Sequence, residues 1–200
     1  MSYEVKHKSL SLDEDDDTAD VDMQPLDTQR TSHDRGEIRN LNPNRRVYLS
    51  NSSGSLKIPL TLRQVSLSQL CMATLSDPEC HCIPIPSVED DVLQTVCAYL
   101  HYHNGQADQL RTEPLRSNKM ADIVSCKWDA KFADDNFDPS NADGRGFPWA
   151  CKLLMAALSM GISPLIQLMS AKIACVFRGL SYEEMMVITQ LNSSYHQHHS

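Results

Sequence analysis

The chain has 200 residues, a formal net charge of −8 and seven cysteines. The acidic excess argues against a nucleic-acid backbone as principal partner, because phosphate binding wants a basic face. No apolar run is long enough to span a bilayer, the N-terminus lacks the apolar core of a signal peptide, and an odd, irregularly spaced set of cysteines reads as reduced thiols, so a cytoplasmic or nuclear protein is expected.

Residues 1–45 contain Asp13, Glu14, Asp15, Asp16 and Asp17 among scattered polar residues, with almost no clustered apolar ones. Such a segment cannot bury enough apolar surface to offset its ordering entropy, so a disordered acidic tail is expected. Order should begin at Val47, Tyr48, Leu49 and Ser50, followed by the polar turn of Asn51, Ser52, Ser53 and Gly54. Beyond it Leu56, Ile58 and Leu60 alternate with period two, which predicts a β-hairpin with one buried face. Pro59 cannot donate to a ladder and should lie at a strand end or an edge. Two short helices follow over 61–65 and 68–75, the second capped by Ser66 or Ser68.

Residues 80–86 read Cys-His-Cys-Ile-Pro-Ile-Pro, apolar and too rich in proline for a helix, which predicts a third strand. Ser87 is then expected to cap a helix in which Val88, Val92, Leu93, Val96, Cys97, Leu100 and His103 share one side, ending near Asn104 and Gly105. Surface loops are expected at about 105–126 and 133–147. Between them Trp128 and Phe132 stand four apart, on one face of a helical turn.

From Trp149 onward the periodicity is sustained. Leu153, Leu154, Ala157, Leu158 and Met160 recur at helical spacing, and so do Leu165, Ile166, Met169, Ile173, Val176 and Phe177. Ser163 and Pro164 suit the start of the second helix, and Gly179 suits a left-handed residue at its end. Ser181 can cap a third helix through about Leu191, with Glu183 and Glu184 at its positive end. This gives a domain over 46–162, a helical extension over 163–191 and a flexible tail over 192–200.

No catalytic, cofactor or metal constellation is expected. Cys80, His81, Cys82, His101 and His103 do not fall into a recognised four-ligand spacing, and Cys71, Cys97 and Cys175 sit inside apolar runs as small hydrophobes. A phosphate-cradling glycine loop is also missing.

Taken in order, the stretch 47–50 with Ser53 and Gly54, the run 83–86 with its following helix, Trp128 and Asp129 with Phe132, the run 154–157, and Gly179 with Ser181, Glu183 and Glu184 resemble the S-phase kinase-associated protein 1 family. These are adaptors of SCF ubiquitin ligases, and elongin C is a shorter relative. The likeness covers roughly 47–191. It implies a mixed α/β fold, a BTB/POZ-type domain with a small three-stranded sheet and packed helices, extended by C-terminal helices that hold an F-box. It further implies a non-catalytic bridge between a cullin and F-box substrate receptors in protein ubiquitination.

Carried over by position, the resemblance assigns F-box contact to Cys151, Ile166, Ile173, Phe177, Thr189 and Leu191, with Cys151 and Thr189 replacing family phenylalanines. It assigns the cullin contact to Leu158 and Ser159, where the family has an Asn and an aromatic residue. Loss of an anchoring aromatic can remove about 2 kcal/mol of binding, so a weakened cullin contact is expected. The family then adds an acidic final helix with a Trp over the F-box, whereas 192–200 here is polar and rich in His. A stripe of Ile173, Phe177 and Met185 is therefore expected either to face a partner or to pack together as ordinary core. The alternative to the ligase adaptor is a scaffold of the same fold that binds an F-box-like partner and no cullin.

Overall fold

The computed structural model describes residues 42–77, 79–108, 110, 117–139 and 145–190, the side chain of Gln190 excepted. The acidic run at 13–17, Leu191 and the tail 192–200 lie outside the described residues. The fold is mixed α/β, with seven α-helices and one three-stranded sheet among the described residues.

Strand β1 (Arg46–Ser50) sits between β2 (Lys57–Thr61), antiparallel to it, and β3 (Cys82–Pro84), parallel to it. The chain is already engaged before β1, since Arg45 and Pro43 accept at their carbonyls from Leu62 and Arg63. Asn51 organises the hairpin turn: its Oδ1 accepts from the Leu56 amide at 3.2 Å, and its Nδ2 donates to Asp90 at 2.8 Å. Val47 and Leu49 of β1, Leu60 of β2 and Ile83 and Ile85 at β3 share the buried face. Leu56 and Ile58 are half-buried, because β2 is an edge strand and its flank is only partly covered.

Helix α1 (Leu62–Val65) starts in a capping box between Thr61 and Gln64, and α2 (Gln69–Thr74) is capped by Ser68. Ser68 does more than cap: its hydroxyl donates to the Met160 carbonyl at 2.6 Å while accepting from the Cys71 amide at 3.2 Å. Helix α3 (Asp90–His103) packs against β2, α1 and the later helix over 147–160 and buries Val92, Leu93, Val96, Cys97, Tyr99, Leu100 and His103. Its start differs from the expectation at Ser87: Glu89 occupies the cap position, with no side-chain bond, and Asp90 and Asp91 fill the first turn. Its end is the left-handed Asn104, φ 47°.

The segment expected as a loop up to 126 contains a 3-10 turn, Met120–Asp122, whose Met120 is 1% exposed. A single apolar anchor inside a polar stretch carries no periodicity, so the sequence pattern gives no sign of it. Helix α4 (Lys127–Asn136) stacks Trp128 on Phe132, ring centroids 4.9 Å apart, as four-residue spacing requires. A buried polar link joins α3 to α4: His103 Nε2 lies 2.8 Å from Asp129 Oδ1, with the Tyr99 ring 4.3 Å from the imidazole. Enclosure by Tyr99, Trp128 and Tyr102 keeps water from that pair.

Helices α5 (Phe147–Met160), α6 (Ser163–Arg178) and α7 (Tyr182–Gln190) complete the chain. The α5–α6 corner turns at Gly161, φ 64°, where an added Cβ would meet Gln69 Cβ at 2.9 Å. Ile162, not Ser163, holds the cap position of α6, and Pro164 lies in its first turn. Gly179 ends α6 at φ −86°, a right-handed conformation instead of the expected left-handed one, because the chain turns directly into the cap of α7.

Candidate partner-binding surface

Helix α5 has an apolar side too many. Trp149, Ala150, Leu153, Ala156, Ala157 and Met160 fill the core face, yet Met155 is 64% exposed and Leu158 49% exposed on the opposite side. Ser159 is exposed beside them, its hydroxyl turned back to donate to the Ala156 carbonyl at 2.9 Å. The helix is anchored from its N-terminal end by Trp149, whose Nε1 donates to Asn136 Oδ1 at 3.0 Å, while Asn136 Nδ2 donates to the Phe132 carbonyl. The Arg145 guanidinium lies 5.4 Å from the same indole.

Between α5 and the start of α3 runs a groove of about 330 Å³ whose lining includes Val88, Val92, Cys151, Met155 and Ser159. Lys152 and Glu89 bridge its rim at 2.8 Å. The groove brings Cys151 and Ser159 together, although the resemblance assigns them to different partners. Burial pushes the Cys151 thiol up from its ordinary range, so it stays protonated at neutral pH and acts as a small apolar contact. Cys97 in the core is pushed up to about 12, first by burial and then by Cys71 beside it.

Helix α6 buries Leu165, Leu168, Met169, Ala171 and Cys175 and leaves Ile166, Ile173 and Phe177 half-buried. It is fastened to α4 by Lys172 Nζ, 2.7 Å from Asp134 Oδ1, and to the chain before the 3-10 turn by Cys175 Sγ donating to the Ser117 carbonyl. Phe177 ends a run of rings: it meets Phe147 edge-on at 5.2 Å, and Phe147 meets the fully buried Phe137 at 6.1 Å. One edge of Phe177 therefore belongs to the core, and the rest faces outward.

Helix α7 is built differently. None of its described side chains is fully buried, and Tyr182 and Val187 are 69% and 58% exposed. Met185, Met186, Ile188 and Thr189 are half-buried, and Thr189 spends its hydroxyl on the Met185 and Met186 carbonyls of its own helix. Its start is held by a reciprocal box: the Glu184 amide donates to Ser181 Oγ at 3.3 Å, and the Ser181 amide donates to Glu184 Oε2 at 2.7 Å. The Ser181 backbone amide, and after it the Ser181 side chain, hold the Glu184 carboxyl below its ordinary value.

Met155 is the surface residue that the sequence pattern conceals. Its signal was present in the near-absence of a polar side over 149–162, where Lys152 and Ser159 alone interrupt the apolar residues. Among the described residues no three His, Cys, Asp or Glu side chains gather at metal-binding distance, and no helix is long and apolar enough to cross a membrane. No protein-family model matches the chain, and no curated protein matches it either.

Proposed function

We propose that the chain is a non-catalytic adaptor of the S-phase kinase-associated protein 1 type, with a BTB/POZ-like domain and a C-terminal helical extension. In this reading α6 and α7 receive an F-box or F-box-like protein, through Ile173, Phe177 and the half-buried side of α7, and the α5 face with Leu158 and Ser159 meets a cullin. The observation that carries it is α7: none of its described side chains is fully buried, and its apolar side, with Met185, Met186 and Ile188 half-buried, has room for a further surface. A substrate receptor that contributes its own helices supplies such a surface.

Purification of the tagged full chain at near-physiological salt, with mass spectrometry for cullins and F-box proteins, tests the reading. Recovery of both supports the ligase adaptor, and recovery of neither sinks it. Phe177→Glu places a charge at the outer end of the phenylalanine run and should weaken F-box binding at least about tenfold. Circular dichroism must accompany it, since Phe177 also touches Phe147. Unchanged affinity in a folded variant removes Phe177 from the interface.

The second reading, a scaffold that binds an F-box-like partner and no cullin, is favoured by the α5 surface itself. Leu158 and Met155 offer apolar contact, and Ser159 has its hydroxyl committed to its own helix, so the face lacks the polar and aromatic anchors of the family. Leu158→Asn with Ser159→Tyr should restore measurable cullin affinity if the rest of the face is suited to it. No gain leaves the scaffold as the better account.

A further inference from the structure

The backbone pattern of the sheet decides which of its amides face outward. Tyr48 donates its amide to the His81 carbonyl at 2.8 Å, so Tyr48 turns its backbone to β3 and away from β2. Its partner across β2 is Pro59, which therefore directs its nitrogen away from the sheet. By the same alternation Lys57, Pro59 and Thr61 are the outward positions of β2. The bonds that flank the hairpin agree, since Leu62 donates to Arg45 and Asn51 to Leu56, both inward.

At those three outward positions β2 offers another strand almost no free amide donor. Pro59 has no N–H, and its ring stands where a donor would be. The Thr61 amide is already spent on Gln64 Oε1 at 2.8 Å. Lys57 retains its amide but carries a charged side chain, which discourages pairing of apolar strands.

The opposite edge repeats the arrangement independently. Ile85 donates to the Ser50 carbonyl at 2.7 Å and His81 accepts from Tyr48, so odd-numbered residues face β1 and Cys82, Pro84 and Pro86 face outward. Two of those three are prolines. Cys82 keeps the one outward amide.

We propose that both edges of the sheet are closed to strand addition, with Pro59 as the closing residue of β2 and Pro84 with Pro86 as those of β3, so that copies of this chain and extended peptides are excluded there and partners dock on helix faces. A three-stranded sheet otherwise presents two open ladders to any exposed strand. The inference is independent of whether the partner is an F-box protein.

The test uses the full chain with Pro59→Thr and, separately, Pro84→Thr, each restoring one outward donor. Sedimentation velocity over a concentration series should show self-association of either variant at least about tenfold tighter than that of the unaltered chain. Folded variants that associate no more than the unaltered chain overturn the proposal. Should both variants fail to fold, the unaltered chain decides: hydrogen exchange at the Lys57 and Cys82 amides should be fast and independent of concentration, and protection that grows with concentration means the edges are open.

Discussion

Helices α3 and α7 are both apolar in composition, yet they are held by different means. Helix α3 drives seven side chains into the core, including Leu93 and Leu100 at 0% exposure. Helix α7 buries none of its described side chains completely and relies on Ser181 and Glu184 at its start. Isolated helices shorter than about 12–15 residues are marginal in water. For α3 the tertiary core answers that deficit, whereas α7 has the local box and the partial burial of Met185, Met186, Ile188 and Thr189. The helix that the proposal gives to a partner thus has no fully buried side chain among its described residues, as a surface completed by binding would.

The sharpest way to break this contrast is to truncate one side chain on each helix. Leu100→Ala should cost about 2–5 kcal/mol, since Leu100 is fully buried on a helix that packs against α1, β2 and α5 and the site can collapse only in part. Val187→Ala, at 58% exposure, should stay within about 0.5 kcal/mol. Urea unfolding followed by fluorescence and by circular dichroism measures both. A loss at Val187 comparable to that at Leu100 means that α7 is packed far better than its exposure indicates.

A smaller effect separates the two corners that bound α6. At Gly161, φ 64°, alanine meets the unfavourable left-handed region, which costs about 1–2 kcal/mol. The contact at 2.9 Å with Gln69 Cβ adds to that cost, because Gln69 is held by the hydrogen bond that its backbone N–H donates to the Gly161 carbonyl. At Gly179, φ −86° and with nothing nearer than 3.6 Å, alanine should fall within about 0.5 kcal/mol. Equal unfolding midpoints for Gly161→Ala and Gly179→Ala count against a rigid α2–α5 corner.

These two glycines also show what the sequence makes legible. Period-two alternation at 56–60 and the proline-rich run at 80–86 announce the strands, because pleat and proline geometry are local. Helical stripes likewise announce α3, α5 and α6. The hand of a glycine is not local: Gly161 and Gly179 both follow an apolar helix, and only the direction of the next element separates them. Ser68 reads as a cap, but nothing near it in sequence points to Met160, its partner across the fold. At the candidate surface Phe177 and Ile173 are legible as a stripe, whereas the exposure of Met155 depends on which side of α5 the core takes. The closed sheet edges need the strand order before Pro59, Pro84 and Pro86 acquire a common meaning.

The smallest expected effect concerns the acid limit of α7. Glu184 accepts from the Ser181 amide, and that bond, followed by the one involving the Ser181 side chain, lowers its carboxyl from the ordinary 4.5. A carboxyl with a depressed folded-state value binds its proton more readily in the unfolded state. Its contribution is thus fully present above the ordinary value and is lost as pH falls through the lowered one. Helicity of α7, read from the amide resonances of 182–189, should decline in that acidic window before the core signals of α3 change. Glu184→Gln keeps an oxygen for the Ser181 amide and removes the titrating charge, so it should start with a slightly weaker α7 and show less loss on acidification. If the wild type and Glu184→Gln lose α7 at the same pH, the acid sensitivity arises elsewhere and the box contributes only its hydrogen bonds; if they separate, the charge at the positive end of α7 is part of what holds this half-buried helix.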